Sequence, residues 1–316
     1  MSSVVAPRRL AAAASLALTL SVTVLNGCGL GPGSVPHDIR LLVTRDFGAH
    51  VLHEAEAPKA SGQETVMSLL IRNDKVGTRY GGGFVESIDG VSGGEEGGKA
   101  IDWFYYVNGV EATKGAASTN VNPGDRIWWD RHDWSQTEDV PAVVGAFPEP
   151  FLNGLGGRRL PVRIECTQVS SYACHAVTAR LRALGVPAAI GAFDAGRQPE
   201  TLRLLVGPWA SIASDPVAQS VSRGPRASGI YARFSTDGRT LTPLDQEGHP
   251  GRVLSAGTGL VAATRQAEDA PIWLVTGTDE AGVDLAARSL NETMLRDRFA
   301  VALTSAGVLA LPSAGG

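Results

Sequence analysis

The stretch IDWFYYVNG, residues 101–109, predicts a buried central strand that ends in a tight turn. Aromatic and β-branched residues favour strands, and an Asn-Gly pair such as Asn108-Gly109 is a strong signal for a two-residue hairpin turn. A second aromatic strand, Arg126–Asp130 (RIWWD), follows the turn segment Val121–Asp125 (VNPGD). We expect these two strands to form the centre of a first domain.

The residues upstream of this centre predict two further strands and one clear helix. Alternating apolar and polar residues indicate a strand at Asp38–Arg45 (DIRLLVTR), and His50–Ala55 is its expected hairpin partner. The apolar residues of Glu64–Asn73 (ETVMSLLIRN) recur at helical spacing. Tyr80–Ile88 (YGGGFVESI) leads into a turn at Asp89-Gly90.

The aromatic rings of these strands are the candidate ligand contacts. Successive side chains of a strand point to opposite faces, so Trp103 and Tyr105 share one face while Phe104 and Tyr106 share the other. One face is expected to pack on the helix, and the other could stack on a planar ligand, a peptide or a glycan. The alternative, that the rings only fill the core, stays open. The predicted ligand-binding residues are Trp103, Tyr105, Tyr106, Trp128 and Trp134.

Five segments of this part follow the order of a known family: Thr65-Val66, Phe84–Gly90, Trp103–Gly109, Lys114–Ala116 and Asn122–Trp129. Together they resemble the C-terminal domain of transcobalamin and intrinsic factor, over roughly residues 38–135. The resemblance implies a small α+β domain in which a helix packs on a curled antiparallel sheet. In the animal proteins this domain forms one half of a clamp around cobalamin. The helical domain that forms the other half has no counterpart in this sequence, so the resemblance implies ligand binding without specificity for cobalamin.

The N-terminus predicts export and lipid attachment. Arg8 and Arg9 precede an apolar stretch, residues 10–24, that is shorter than the roughly 20 residues of a membrane-spanning helix. It ends in Leu25–Cys28 (LNGC), which resembles the lipobox of bacterial lipoproteins. We therefore expect residues 1–27 to be a signal peptide, Cys28 to carry palmitate-type acyl chains, and residues 28–37 to be a tether. A plain secretory signal and a membrane anchor are the alternatives.

Two further cysteines, Cys166 and Cys174, lie eight positions apart in a chain that we expect to be exported. Exported proteins reside in oxidising compartments, so we predict a disulfide between them. Unpaired thiols, or a metal or redox site that includes His175, are the alternatives.

The second half of the sequence predicts alternating strands and helices, packed as α/β or α+β around one mixed sheet. Together with the first domain, this predicts an α+β chain. The domain boundaries are expected at 38–136 for the first domain, 137–158 for a connection rich in Pro and Gly, and 159–316 for the second domain. A helix is predicted at Gly282–Leu290, with a continuation through Ala302. Before it, the strand Ile272–Thr276 ends in a Gly-Thr-Asp segment where Asp279 either caps that helix or faces a ligand.

Charge and motifs exclude several classes of function. With 28 Lys+Arg against 32 Asp+Glu the net charge is −4, which argues against a nucleic-acid partner. Gly90–Gly94 (GVSGG) matches the G-x-S-x-G pattern, but the glycines after it cannot begin the helix that a nucleophile elbow needs. We predict no catalytic residue, no metal ligand and no cofactor.

These patterns predict a non-enzymatic lipoprotein on the outer face of the cytoplasmic membrane, anchored through Cys28. We expect it to bind a small molecule or an envelope component, with cobalamin as one candidate. The alternative is a structural or adaptor module that engages a transporter or another envelope protein.

Overall fold

The computed structural model describes residues 1–3, 34–196 and 198–314, and the fold is α+β. Cys28 and nearly all of the predicted signal peptide lie outside the described residues. Within the described residues, no helix combines the length and the apolar character that crossing a membrane requires.

The aromatic strands lie at the centre of the first sheet, whose strand order is β2-β1-β9-β7-β6, with β8 on β7. β7 and β9 pair antiparallel, with Tyr105 opposite Trp129 and Tyr106 opposite Trp128. β3, β4 and β5 form a separate antiparallel sheet. The elements are β1 Arg40–Arg45, β2 His50–Ala55, α1 Val66–Asn73, β3 Val76–Arg79, β4 Phe84–Ile88, β5 Val91–Ser92, β6 Gly94–Glu96, β7 Lys99–Val107, β8 Val110–Glu111 and β9 Arg126–Asp133.

Helix α1 begins at a capping box that the sequence encodes. The Thr65 side chain accepts a hydrogen bond from Ser68 N at 3.1 Å, and the Thr65 N donates to the Ser68 hydroxyl at 2.8 Å. These bonds satisfy backbone groups that a helix terminus leaves without partners. Val66, Leu69 and Leu70 are fully buried against β7 and β9 in the core of the first sheet.

The second sheet has the strand order β11-β10-β12-β16-β15-β17-β18. β10 pairs parallel with β11 and β12, and β12 pairs parallel with β16; β15, β17 and β18 join antiparallel. The strands of this sheet are β10 Val162–Cys166, β11 Ala188–Ala192, β12 Leu202–Pro208, β15 Gly259–Thr264, β16 Ile272–Gly277, β17 Ala300–Thr304 and β18 Gly307–Leu311. β13 Ala232–Phe234 and β14 Leu241–Pro243 form a separate two-stranded antiparallel sheet. The helices are α2 Tyr172–Ala183, α3 Trp209–Ile212, α4 Pro225–Ser228, α5 Glu280–Arg288 and α6 Glu292–Leu295.

The two faces of this sheet pack against different layers. Because side chains alternate along a strand, Leu204 packs beneath α2 and α5, while the adjacent Leu205 packs against the layer that contains α3 and Tyr231. Asp279 caps α5 by accepting a hydrogen bond from Gly282 N at 2.8 Å, so the capping alternative is confirmed.

The predicted continuation of this helix through Ala302 is wrong. A second helix, α6, begins at Glu292 and is capped by Asn291, whose side chain accepts a hydrogen bond from Met294 N at 3.1 Å. The chain then enters β17, Ala300–Thr304, which pairs with both β15 and β18. A short apolar run such as AVALT fits a buried strand or a buried helix equally well, and the sheet partners decide between the two.

The predicted disulfide is confirmed, since Cys166 and Cys174 are bonded, with their Cα atoms 5.9 Å apart. Both residues are buried, Cys166 at the end of β10 and Cys174 in the first turn of α2. The bond therefore joins the strand to the helix that packs over it.

The two sheets and the connection between them share a hydrophobic cluster, which we call the junction core. It includes Tyr106 and Trp128 from the first sheet, Val143 from the connection, and Tyr231 and Phe299 from the second half. The face of β7 that carries Tyr106 is therefore covered by the second half of the chain.

Candidate functional site

Two of the five predicted ligand-binding rings, Trp103 and Tyr105, lie in the core of the first sheet. Trp103 Nε1 donates to the Val91 carbonyl at 3.2 Å, and the Tyr105 hydroxyl donates to the Lys114 carbonyl at 2.5 Å. The rings are 6% and 8% exposed, and their polar atoms have protein partners. They hold the sheet to β5 and to the loop after β8, rather than presenting a free face.

Tyr106 and Trp128 lie in the junction core and are 0% and 2% exposed. Their rings pack edge-on against Phe299, with centroids 5.5 and 5.1 Å away. The rings that were predicted to contact a ligand therefore pack against the second half instead. For these four rings the structure supports the alternative stated above, that they fill the core.

Trp134 differs from the other four rings. It is partly exposed, its Nε1 donates to Asp102 Oδ2 at 3.2 Å, and it lines a cavity of about 390 Å³ together with Asp139 and Arg226. Trp134 is thus a predicted ring that is partly exposed beside a cavity of ligand size, whereas the cavity that Trp128 lines is only about 40 Å³.

Two more cavities lie along the junction, and we call the three together the junction groove. The central cavity, of about 480 Å³, lies between the β8 loop, the segment 155–160 and the loop that joins β15 to β16. A neighbouring cavity of about 280 Å³ shares Glu111 and Arg265 with it, and shares Asp139 with the Trp134 cavity. Both halves of the chain therefore contribute to one run of adjoining cavities.

Glu111 and Arg265 meet where the central and neighbouring cavities adjoin. Arg265 Nη2 donates to the Glu111 carbonyl at 2.9 Å, and Glu111 Oε2 accepts from Val140 N at 2.7 Å. Arg265 Nε is buried and has no hydrogen-bond partner among the residues that the structure describes. A buried donor without an acceptor carries a free-energy penalty of about 1–3 kcal/mol, which a ligand oxygen would relieve.

Burial shifts the pKa values of both side chains. It raises the pKa of Glu111 to about 7, with a further contribution from the negative charge of Asp139, although the Val140 N–H and Arg265 oppose the shift. Burial also lowers the pKa of Arg265, against the carboxylates of Glu268, Glu111 and Asp139. The groove therefore holds a carboxyl group that gains or loses a proton near neutral pH.

We expect Glu111 to make the protein less stable as the pH rises from about 5 to about 8. Its pKa is about 7 in the folded protein and 4.5 ordinarily, so over this range the folded state holds a proton that the unfolded state has released. The stability lost is about 2 kcal/mol. Glu111→Gln keeps an acceptor for Val140 N and should flatten this part of the profile. Urea unfolding at several pH values measures it.

Glu268→Gln is the matched control, because Glu268 lines the same two cavities with an exposed side chain. Its stability profile should follow that of the wild type. Parallel profiles for the wild type and Glu111→Gln would contradict the assignment.

The buried pair of Asp130 and His132 resembles part of a catalytic constellation, but its contacts are structural. The Asp130 carboxylate accepts from Phe47 N at 3.0 Å, from Gly48 N at 2.9 Å, and pairs with His132 Nδ1 at 2.8 Å. The His132 ring lies between Phe47 and Phe104, with both ring centroids 4.4 Å away. The pair fixes the loop after β1 against the aromatic strands.

Two other chemical motifs lack the geometry of a site. Ser92 of the GVSGG motif precedes the strand Gly94–Glu96, where a nucleophile elbow requires a helix. Ligand atoms of Asp245, Glu247 and His249 lie within 4.8 Å of one another, but Glu247 forms a salt bridge with Lys99. We assign this group to an ion-paired surface loop.

Residues 63–133 match a family model described as a domain of unknown function, DUF4430. The matched segment begins just before α1 and ends with β9, so it contains the aromatic strands and Glu111. No curated protein and no solved structure matches the chain. The matched segment includes the residues in and after β8 that line the groove, and Arg265 lies outside it.

The sequence analysis missed Glu111 and Arg265. They are 154 positions apart, and neither lies in a motif with chemical meaning. A single glutamate after a hairpin turn and a single arginine after a strand carry no signal until the fold brings them together. Trp134 was found because it follows a strand beside charged residues.

Proposed function

We propose that the protein is a non-enzymatic, lipid-anchored extracytoplasmic binding protein whose ligand occupies the junction groove. The observation that carries this proposal is the central cavity of about 480 Å³, which both halves line and on which Glu111, Lys114, Arg158 and Arg265 converge. Small-molecule sites are typically clefts of roughly 300–1,000 Å³ at such junctions, with a few charged groups that orient the ligand.

The N-terminal sequence supports the anchored location in this proposal. A lipid on Cys28, followed by the short tether to β1, would hold the folded protein at the outer face of the cytoplasmic membrane. Two acyl chains together give stable attachment, where a single chain gives only reversible binding. A nearby transporter or envelope protein is the expected recipient of the ligand.

The resemblance to the transcobalamin C-terminal domain supports ligand binding as the role of the first domain. Cobalamin belongs among the first ligands to test for that reason. The central cavity is of the size that suits a drug-sized or smaller molecule, so it would hold cobalamin only in part. A small molecule or a fragment of the cell envelope fits the groove better.

An adaptor role is the second candidate, and an exposed aromatic pair favours it. Tyr80 and Phe84, at the tip of the β3–β4 hairpin, are 86% and 38% exposed, with their rings edge-on at 6.3 Å. Exposed aromatic rings are enriched at protein interfaces. In this role the hairpin tip, rather than the groove, would contact the partner.

A binding screen with a blocked groove tests the first proposal. Thr113 is exposed and lines both the central and neighbouring cavities, so Thr113→Trp should fill the groove without disturbing the core. The probes are cyanocobalamin and a mixture of soluble peptidoglycan fragments. A ligand at 100 times its Kd should stabilise the wild type by about 2.7 kcal/mol in thermal unfolding, and Thr113→Trp should lose this stabilisation.

Thr236→Trp is the matched control, because Thr236 is an exposed threonine in the loop between β13 and β14. It should respond as the wild type does. Equal stabilisation of Thr113→Trp would move the site elsewhere, and no response to either these probes or amino acids would overturn the binding function. Co-purification of a partner that is lost in Tyr80→Ser would then favour the adaptor role.

A further inference from the structure

The two cavities of the junction groove that meet at Arg265 differ in their balance of charge. The central cavity carries the cations Lys114, Arg158 and Arg265 and the carboxylates of Glu111, Glu200 and Glu268. The neighbouring cavity carries the carboxylates of Glu111, Asp139 and Glu268 beside the single cation Arg265. Of these two cavities, Lys114 lines only the central one and Asp139 only the neighbouring one, so a ligand that spans both meets an added cation at one end and an added carboxylate at the other.

The existing ion pairs leave part of this charge available to a ligand. Arg158 is already paired with Glu200 at 2.7 Å, and both side chains are exposed. Arg265 uses one Nη2–H on the Glu111 carbonyl, while its buried Nε–H lacks an acceptor within the described part of the chain. A carboxylate accepts charge-assisted hydrogen bonds from a guanidinium in a fixed geometry, so it is the group that suits this donor.

The negative end suits an ammonium group. One oxygen of the Glu111 carboxyl, Oε2, accepts a hydrogen bond from Val140 N at 2.7 Å. Asp139, next to Val140 in the chain, is close enough for its charge to act on Glu111. The negative charge of the exposed Asp139 disfavours ionisation of the partly buried Glu111 unless a proton or a cation lies close to both. A ligand ammonium would supply that cation and donate hydrogen bonds to both.

We propose that the groove binds a zwitterionic α-amino-acid head group, with its carboxylate at Arg265 and Lys114 and its ammonium at Glu111 and Asp139. This inference rests on the proposed binding function and names the chemistry of the ligand. A free amino acid carries this head group, and so does a wall peptide with a diamino acid whose side chain ends in it.

Ligands of a single sign fit the groove less well. A purely anionic ligand at Arg265 would lie against the carboxylates of Glu111, Asp139 and Glu268. A purely cationic ligand would lie beside the guanidinium of Arg265 and leave its Nε without an acceptor. Selectivity against these ligands follows from repulsion and unpaired polar groups, as much as from attraction to the zwitterion.

Thermal unfolding of the full chain with blocked and unblocked probes tests the proposal. The probes are a mixture of the common L-amino acids, the matched N-acetyl amino acids, the matched methyl esters, and a tripeptide that ends in diaminopimelate. We expect stabilisation by the free amino acids or by the tripeptide, and none by the blocked mixtures. Stabilisation by the free mixture identifies a free amino acid as the source, and stabilisation by the tripeptide alone identifies the wall peptide.

Variants at the two ends of the groove complete the test. Arg265→Gln and Glu111→Gln should each weaken binding about tenfold or more, because each removes a charge-assisted contact. Lys114→Gln changes an exposed side chain of the same cavity and should weaken binding even if Arg265→Gln does not fold. Arg182→Gln changes an exposed arginine on α2 that lines none of the three cavities, so it should leave binding unchanged.

The outcomes separate this proposal from the binding function. Equal stabilisation by N-acetyl amino acids or by methyl esters would contradict the proposal that the ligand is zwitterionic. A second outcome is that the free amino acids and the tripeptide give no stabilisation, while cyanocobalamin or a peptidoglycan fragment stabilises the wild type but not Thr113→Trp. In that case the zwitterionic head group is wrong and the proposed binding function stands. If all probes fail, both proposals are wrong.

Discussion

Replacing Arg203 by methionine is expected to destabilise the protein by about 3–5 kcal/mol. Arg203 is 2% exposed and lies in β12, in a cluster with two fully buried carboxylates, Glu165 and Asp215. Its guanidinium donates to both Glu165 oxygens, at 3.0 and 2.7 Å, and to Asp215 Oδ2 at 2.8 Å. Removing it leaves buried negative charges without their main partner, and burying a charge unpaired is far more costly than burying it in a pair.

Urea unfolding followed by far-UV circular dichroism measures this loss, and Arg163→Met is its control. Arg163 also contacts Glu165, with Nε at 3.2 Å, but its side chain is 36% exposed. An ion pair at that exposure is worth about 1 kcal/mol or less. If the two methionine variants lose equal stability, the buried network does not hold β10, β12 and the segment after α3 together.

Local patterns predicted most of the fold. The aromatic strands, helix α1 and the Cys166–Cys174 bond all follow from residues near one another in sequence. Each is decided by periodicity, turn chemistry or short loop closure, which a single sequence displays. The strand β3 was missed because Val-Gly-Thr-Arg is short and lacks an apolar pattern.

The site could not be predicted in the same way. The alternation along Ile101–Asn108 correctly placed Tyr105 and Tyr106 on opposite faces of the strand. It carried no information on what covers the face of Tyr106. The structure covers it with Phe299 and Tyr231, which lie far away in sequence. Tyr106 and Trp128 are therefore part of the junction core. Trp103 and Tyr105 lie in the core of the first sheet, and Trp134 lies beside a cavity.

Burial by distant segments also explains the chemistry of Glu111. Glutamate after a hairpin turn is ordinarily solvated, and its carboxyl is ionised at neutral pH. Val140 N and Arg265 approach it only because the connection and the β15–β16 loop fold over the β8 hairpin. The same packing that removes the aromatic face from solvent thus creates the groove and its titrating carboxyl group.

Trp128→Ala is expected to destabilise the protein by about 3–5 kcal/mol, because Trp128 joins all three parts of the chain. Its Nε1 donates to the Thr44 hydroxyl at 2.7 Å, and its ring packs on Phe299 of the second half at 5.1 Å. A side chain on Gly145 of the connection would lie 2.7 Å from a Trp128 ring carbon, which shows how closely the backbone packs on the ring. The truncation leaves a cavity in the junction core and the Thr44 hydroxyl without its donor.

Trp134→Ala provides the comparison, since it removes the same side chain from a partly exposed position six residues along the chain. Its cost should stay below about 1 kcal/mol, in keeping with a surface substitution. Urea unfolding should also broaden or divide in Trp128→Ala, because weakening the shared core lets the two sheets unfold separately. A single sharp transition at the wild-type midpoint would mean that the junction core does not couple the halves, and the groove between them would then lack a rigid frame.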